Sequence, residues 1–460
     1  MANVLQRVTW RSAVLISFET ALLVGALLAA TIARLGQDVL AGEEISTYVW
    51  KALLVAGVCQ VCLYYAELYD LRVVADRREL FVRILQALGA SSMILAALYF
   101  WFPALVIGRG VFLIAAFVVV TLVAGWRFAF EYTVGRVGPT ERLLVVGTGA
   151  AAVSLAEELR SRRQELGAEI VGFVDPDGPH ADATVDIIGT VDDIPRIVRE
   201  NNVERVVVSL ADARGKLPMG KLLEMKLDGV VFDHLASVYE EYTGKIAVEN
   251  LRPSWLIFSE GFRKSRALTT TKRVADILAA LVLLCLAAPV MLLVAIAVRL
   301  SSSGPAMYHQ KRVGQHGRTF TVHKFRSMRV NAEAGTGAVW ASRNDSRVTP
   351  VGAFLRKVRL DELPQLWNVL RGEMSLVGPR PERPEFVEML TREIPFYGQR
   401  HAVKPGLTGW AQVCYAYGAS VDDSMEKLQY DLFYIKNLSI GLDLFILFKT
   451  VQTVVLKRGQ

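Results

Sequence analysis

Three features predict a chain of mixed class: apolar blocks of membrane-spanning length in the first third, alternating strand and helix patterns in the second, and one long apolar run leading into a cation-rich last third. The expected architecture is a four-helix transmembrane bundle over residues 1–135 and a Rossmann-like α/β module over 140–250. A mainly α, membrane-associated domain with a re-entrant helix hairpin follows over 265–460. A chain of 460 residues is too long for one compact core. With 52% hydrophobic and 21% charged residues and a mean hydropathy of +0.33, it is more apolar than soluble globular proteins. The net charge of +7 suits nucleic acid, anionic lipid or phosphorylated substrates, and the apolarity favours lipid and phosphate over nucleic acid. The cysteines Cys59, Cys62, Cys285 and Cys414 have no disulfide spacing. Cys59 and Cys62 lie in an apolar run without further ligands, so they read as packing residues.

The spans are expected at 13–33, 48–66, 84–107 and 110–126, each near the ~20 residues an α-helix needs to cross hydrocarbon. The first is too long for the apolar core of a cleavable signal peptide. Arg7 and Arg11 precede it, Arg72, Arg77, Arg78 and Arg83 lie between the second and third, and Arg127, Arg136 and Arg142 follow the fourth. Asp38, Glu43 and Glu44 make the first connecting loop acidic. Cations therefore gather on one side, and both ends of the bundle are expected in the cytoplasm. Glu19, inside the first span, reads equally as paired between helices or as lying near the interface.

Strands are expected at 142–147, 169–174 and 203–210, with helices at 150–166 and 194–201, a pattern that implies a parallel sheet covered by helices. The first turn, Gly147-Thr-Gly149-Ala-Ala-Ala152, has the form of a dinucleotide loop, where glycines let phosphate approach a helix N-terminus. Asp175 ends the second strand, further along than a ribose-binding acid usually lies. These residues form a possible nucleotide loop; the other reading is a regulatory or assembly module that kept the fold.

The run 277–298 is long enough to span, yet cations flank both ends: Lys272 and Arg273 before it, Arg299, Lys311 and Arg312 after. Pro289 interrupts it near the middle. Half-helices of ~15–18 Å reach the bilayer centre, so entry and return on the cytoplasmic side is expected, with an ordinary kinked fifth span as the alternative. Beyond it, Leu363, Leu366, Val369 and Leu370 recur at helical spacing, with Pro364 fit for a first turn and Gly372 for a stop. The helix should begin near Asp361, placing Asp361 and Glu362 at its N-terminal end. There amide donors favour phosphate, and paired carboxylates suit Mg²⁺; the plainer reading is a capping pair. Arg356 and Arg359 upstream, Lys324 and Arg326 further back, and Arg380 in a stiff Pro-rich loop that also presents Glu382 surround the acids with cations that hold phosphate oxygens. Metal-assisted phosphoryl transfer at a bilayer surface is the chemistry this suggests. The tail 442–456, followed by Lys457 and Arg458, reads as an interfacial helix or a buried one.

In order, Lys272-Arg273 with Asp276, Pro289, Lys324-Phe325-Arg326, Asn344 to Arg347, Arg356, Leu360-Asp361-Glu362-Leu363-Pro364-Gln365, Gly378-Pro379-Arg380-Pro381-Glu382 and Lys404 to Gln412 resemble the bacterial polyprenyl-phosphate glycosyl-1-phosphate transferases. The preceding spans and α/β module resemble the long branch that starts exopolysaccharide or O-antigen assembly, and more loosely the transferases of exosortase-associated gene clusters. The resemblance implies transfer of a sugar-1-phosphate from a UDP-sugar to polyprenyl phosphate, with release of UMP. It implies Asp361 as nucleophile and Glu362 as partner holding Mg²⁺. Arg356, Lys324, Arg326, Arg380 and Glu382 would bind substrate, and Lys272, Arg273, Asp276 and Pro289 would shape the hairpin. Ala353 departs from the family, where many relatives carry a basic residue. Glucose or galactose is the expected sugar, an N-acetylated sugar the alternative, and a homodimer is a further expectation. Two other functions fit parts of the chain: an NAD-dependent sugar-nucleotide oxidoreductase using the Gly147 loop, and a non-enzymatic nucleotide-sugar-sensing scaffold. Neither accounts for the Asp361-Glu362 surroundings.

Overall fold

The structure is a computed structural model that describes residues 10–35, 45–66, 77–106, 118–127, 141–161, 168–176, 185–209, 218–248, 261–330, 347–415 and 420–455, with single residues 68, 129, 259, 332 and 418. Arg7, Arg72, Arg136, the acidic loop with Asp38, Glu43 and Glu44, the segment Asn344 to Ser346, and Lys457 and Arg458 lie outside the described residues. The chain divides into two compact units, Val4–Leu235 and Ala236–Gln460.

In the first unit, helices α1 (Trp10–Leu35), α2 (Ile45–Tyr65) and α3 (Arg77–Trp101) are each long and apolar enough to cross a membrane. The fourth expected span is described only as α4, Val118–Arg127, and residues 110–117 lie outside the described residues. The four helices share one apolar core that includes Leu23, Ala56, Leu63, Ile84 and Val123. Cys59 and Cys62 are buried in that core as free thiols, as a packing role requires. Of the two readings of Glu19, the paired one holds. Its carboxylate takes both arms of Arg127, Nε at 2.6 Å and Nη2 at 3.0 Å, and both residues are buried.

The same unit holds a five-stranded, all-parallel sheet in the order β3-β2-β1-β4-β5. Its strands are β1 (Glu141–Val146), β2 (Ala168–Val174), β3 (Ile187–Gly189), β4 (Arg205–Val208) and β5 (Val231–His234). Helices α5 (Ala150–Ser161), α6 (Ile194–Asn201) and α7 (Met219–Leu227) join them. Strands β3 and β5 escaped the sequence pattern because three or four partly exposed residues carry no periodicity.

In the second unit, α8 (Leu235–Thr243) leads to the long α9 (Arg266–Ser301), which contains Pro289. Ser265 caps α9 by accepting the Leu268 amide. Both flanks of α9 are fastened to the same unit. Near its start, Lys272 pairs with Asp443 (2.5 Å), Arg273 donates to the carbonyls of Val369 and Leu370 (2.6 and 2.8 Å), and Asp276 accepts the Leu376 amide (3.1 Å). Near its end, Val294 and Val298 pack with Phe325 and Leu355. Between these anchors the helix is apolar and open to its surroundings, with Leu286 at 70% and Leu293 at 67% exposure.

An antiparallel hairpin follows, β6 (Met307–Val313) with β7 (Thr319–Phe325), then α10 (Pro350–Lys357), a 3-10 turn (Leu360–Glu362) and α11 (Gln365–Arg371). Strand β8 (Ser375–Val377) pairs in parallel with β9 (Gly406–Thr408), with α12 (Pro384–Glu393) and a 3-10 turn (Tyr397–Ala402) between them. Helices α13 (Trp410–Cys414), α14 (Val421–Asn437) and α15 (Ile440–Val455) complete the unit. Leu442 and Ile446 of α15 are buried, while Leu444 and Val451 are exposed, so this helix has one packed and one open apolar face.

Candidate active site

The acidic pair does not open the α-helix as the spacing predicts. Asp361 and Glu362 occupy the 3-10 turn, and α11 starts at Gln365, with Pro364 as its N-cap. Pro364 has no amide hydrogen, so the regular ladder cannot run back through it. Arg359 enters this turn in a left-handed conformation (φ 54°), which lets the chain reverse between α10 and the acids. At the other end Gly372, at φ 83°, closes α11 in the conformation glycine adopts most readily.

Lys324 is brought to the acids by a side-chain stitch. Buried Asn368 on α11 takes the place of a neighbouring strand, accepting the His323 amide (3.2 Å) and donating to the Thr321 carbonyl (2.7 Å). Lys324 then reaches Glu362 Oε1 at 2.9 Å. Arg380 reaches the same oxygen at 2.7 Å, and Arg359 approaches Oε2 at 3.6 Å. The Pro-rich segment is a loop, as expected. Its Gly378 lies so close to the Lys404 carbonyl that a Cβ would sit 2.4 Å from that oxygen, so only glycine fits. Behind the loop, Arg400 donates to the Arg380 carbonyl (3.0 Å), to Asp431 (2.8 Å) and to the Tyr397 hydroxyl (2.6 Å), and Arg400 and Asp431 are both buried. Gln412 accepts from Arg380 at 3.0 Å.

The two acids therefore differ. Burial pushes the Glu362 carboxyl up, but Arg380, Lys324 and Arg359 outweigh it and hold Glu362 well below the usual carboxylate range. Asp361 is buried too, yet among the described residues its carboxylate has no hydrogen bond or ion pair. Burial, and then the charge of Glu362, raise its carboxyl, while Lys324, Arg356 and Arg380 oppose. A buried carboxylate in this state has the chemistry of a nucleophile or of a cation ligand.

Other expected site residues lie elsewhere. Arg326 is buried, and its guanidinium holds the carbonyls of Ser302 (2.8 Å) and Ser303 (2.6 Å), so it secures the end of α9 and not the acids. Glu382 faces Arg312 at 3.4 Å. Lys272, Arg273 and Asp276 are the anchors of α9 already described. Gly147, Gly149, Ala152 and Asp175 belong to the other unit. There Gly147 turns at φ 99°, Ala152 is buried, and Thr148 donates to Asp175 at 2.9 Å. Asn368, Arg400 and Asp431 are residues that sequence reasoning misses. Asn368 does carry a signal, as a polar residue at the centre of an apolar run, whereas Asp431 lies among aromatic residues of α14 with nothing to mark its distant partner.

Among the described residues no three His, Cys, Asp or Glu side chains gather as a metal site. The oxygen donors at hand, Asp361 and Glu362, are of the kind magnesium takes, one or two carboxylates with the rest of its shell left to other oxygens.

The sequence family described as bacterial sugar transferase matches residues 267–457, and one described as CoA-binding domain matches 65–217. An Escherichia coli (strain K12) protein named UDP-glucose:undecaprenyl-phosphate glucose-1-phosphate transferase is 35% identical over 327 residues, covering 68% of each chain. The chain belongs to the bacterial sugar transferase family. The Aeromonas hydrophila UDP-N-acetylgalactosamine-undecaprenyl-phosphate N-acetylgalactosaminephosphotransferase is 46% identical over 222 residues, 48% of this chain and 52% of that one. The Komagataeibacter xylinus undecaprenyl-phosphate glucose phosphotransferase is 36% identical over 325 residues, 69% of this chain and 60% of that one. The chain thus spans about half to two-thirds of the length of such curated relatives.

Proposed function

We propose that this sugar transferase moves a sugar-1-phosphate from a UDP-sugar to undecaprenyl phosphate, the first membrane step of exopolysaccharide or O-antigen synthesis. The observation that carries the reading is the buried Asp361 carboxylate, without a hydrogen bond or ion pair among the described residues, beside a Glu362 whose charge Lys324, Arg380 and Arg359 already balance. An Asp361 oxygen attacks the phosphorus that bears the sugar, the bond to the bridging oxygen breaks, and UMP leaves with that oxygen. An oxygen of undecaprenyl phosphate then attacks the same phosphorus, the bond to Asp361 breaks, and the carboxylate is restored with a sugar diphosphate on the lipid. Lys324, Arg359 and Arg380 stay fixed on Glu362, and with Arg356 they place positive charge around phosphate oxygens in both steps. Mg²⁺, held by Asp361 and Glu362 together with the diphosphate, would offset charge on the leaving group.

The purified full chain with Mg²⁺, undecaprenyl phosphate and a panel of UDP-sugars should release UMP from at least one sugar, and chelating the metal should stop it. Silence across the panel would overturn the reading. The relatives' names include both glucose and N-acetylgalactosamine transferases, so the panel carries both with galactose.

The α9 segment supports a re-entrant hairpin on the cytoplasmic side. Run straight, the helix between Asp276 and Val294 would be about 27 Å long, yet both ends are tied to one unit, and the apolar middle with Pro289 faces outward. The open face of α15 then suits the membrane surface. Single cysteines placed at 305–320 should resist impermeant thiol reagents in intact cells. Labelling from outside would refute the hairpin while leaving the chemistry standing. The sheet order of the first unit is that of dinucleotide-binding folds, so the Gly147–Ala152 loop with Asp175 is read as a nucleotide site of regulatory use.

A further inference from the structure

The start of α9 carries more cation than its visible partners use. Lys272 is engaged by Asp443, and the Arg273 guanidinium by two carbonyls at the end of α11. Lys404 arrives from the segment before β9. A Cβ built on Gly372 would meet Arg273 Nη2 at 3.2 Å and Lys404 Nζ at 3.5 Å, so the two cations face each other across one glycine. Among the described residues Lys404 has no hydrogen bond or ion pair. The carboxylate that acts on it, Asp276, already accepts the Leu376 amide through Oδ1. Burial, then Arg273, lower the Lys404 ammonium, with Lys272 adding to the effect and Asp276 opposing it. Crowded like charges of this kind are relieved by an anion.

We propose that Lys404 and Arg273, meeting at Gly372, hold the phosphate of an anionic membrane phospholipid. The place argues for lipid over the sugar donor. Gly372 closes α11 at the end away from the acids, seven helical residues or roughly 10 Å beyond its start, and beside the point where α9 turns apolar and exposed. Next to it Trp367 is 48% exposed with Arg371 against its ring at 5.4 Å, the pairing of indole and cation favoured at headgroup depth. The inference rests on the hairpin reading of α9 and is independent of the Asp361 chemistry.

The test uses the full chain in neutral-detergent micelles and native mass spectrometry with short-chain phosphatidylglycerol. Lys404→Gln should bind this lipid about fivefold more weakly than wild type, the effect of one cation near anionic headgroups, while Lys404→Arg should keep the affinity. Equal binding by wild type and Lys404→Gln overturns the site. Displacement of the lipid by equimolar inorganic phosphate, or by equimolar undecaprenyl phosphate, overturns its assignment to phospholipid. UMP release measured on the same samples separates this outcome from the proposed reaction: loss of lipid binding with turnover retained supports the site. Absence of turnover in wild type counts against the reaction alone.

Discussion

Replacing Asp361 with Asn should lower UMP release by about three orders of magnitude or more, the scale seen when a covalent nucleophile is removed. The amide keeps the shape of the carboxylate but cannot form an acyl phosphate. The fold should survive. Burial raises the Asp361 carboxyl, so stability is lost as the pH climbs from the ordinary carboxylate range through that raised value, and the neutral amide removes this burden. Melting of Asp361→Asn in detergent should therefore match wild type or exceed it slightly. Wild-type UMP release from this variant would end the nucleophile assignment. A dead enzyme that also melts early would leave the loss attributable to misfolding, in contradiction to the environment just described.

The second large effect is on stability. Arg400→Met should destabilise the second unit by about 3–5 kcal/mol, because it leaves Asp431 buried and unpaired. It also strips donors from the Tyr397 hydroxyl and the Arg380 carbonyl. Joint replacement, Arg400→Met with Asp431→Leu, should recover most of the loss, since no lone charge remains. Chemical denaturation in detergent reads both. A single variant within 1 kcal/mol of wild type would show that the pair holds nothing in place. In the double variant the Arg380 loop still lacks its rear support, so turnover should stay low even as stability returns.

How much was legible follows the range of the forces. The apolar helices, the α/β alternation and the Pro-rich loop were readable because periodicity and backbone restriction act within a few residues. So was the acidic pair, because a proline and a glycine bracket the helix beside it. The error at Asp361 was one of degree: Pro364 ends the α-helix backward as well as permitting its first turn. Arg326 could not be told from Lys324 in sequence, since residues two apart share one face of a strand, and only the end of β7 at Phe325 turns Arg326 to the carbonyls that close α9. Asn368 and the Arg400–Asp431 pair stayed hidden because each acts across 31 to 47 residues on partners with no local signature.

The Glu19–Arg127 bond sets a schedule for biosynthesis. Its two members are 108 residues apart, so at ribosomal speeds of 5–20 residues per second the first helix waits about 5–20 s for its counter-ion. During that interval the pair that joins the first helix to the fourth cannot form, and arrival of the fourth helix completes it.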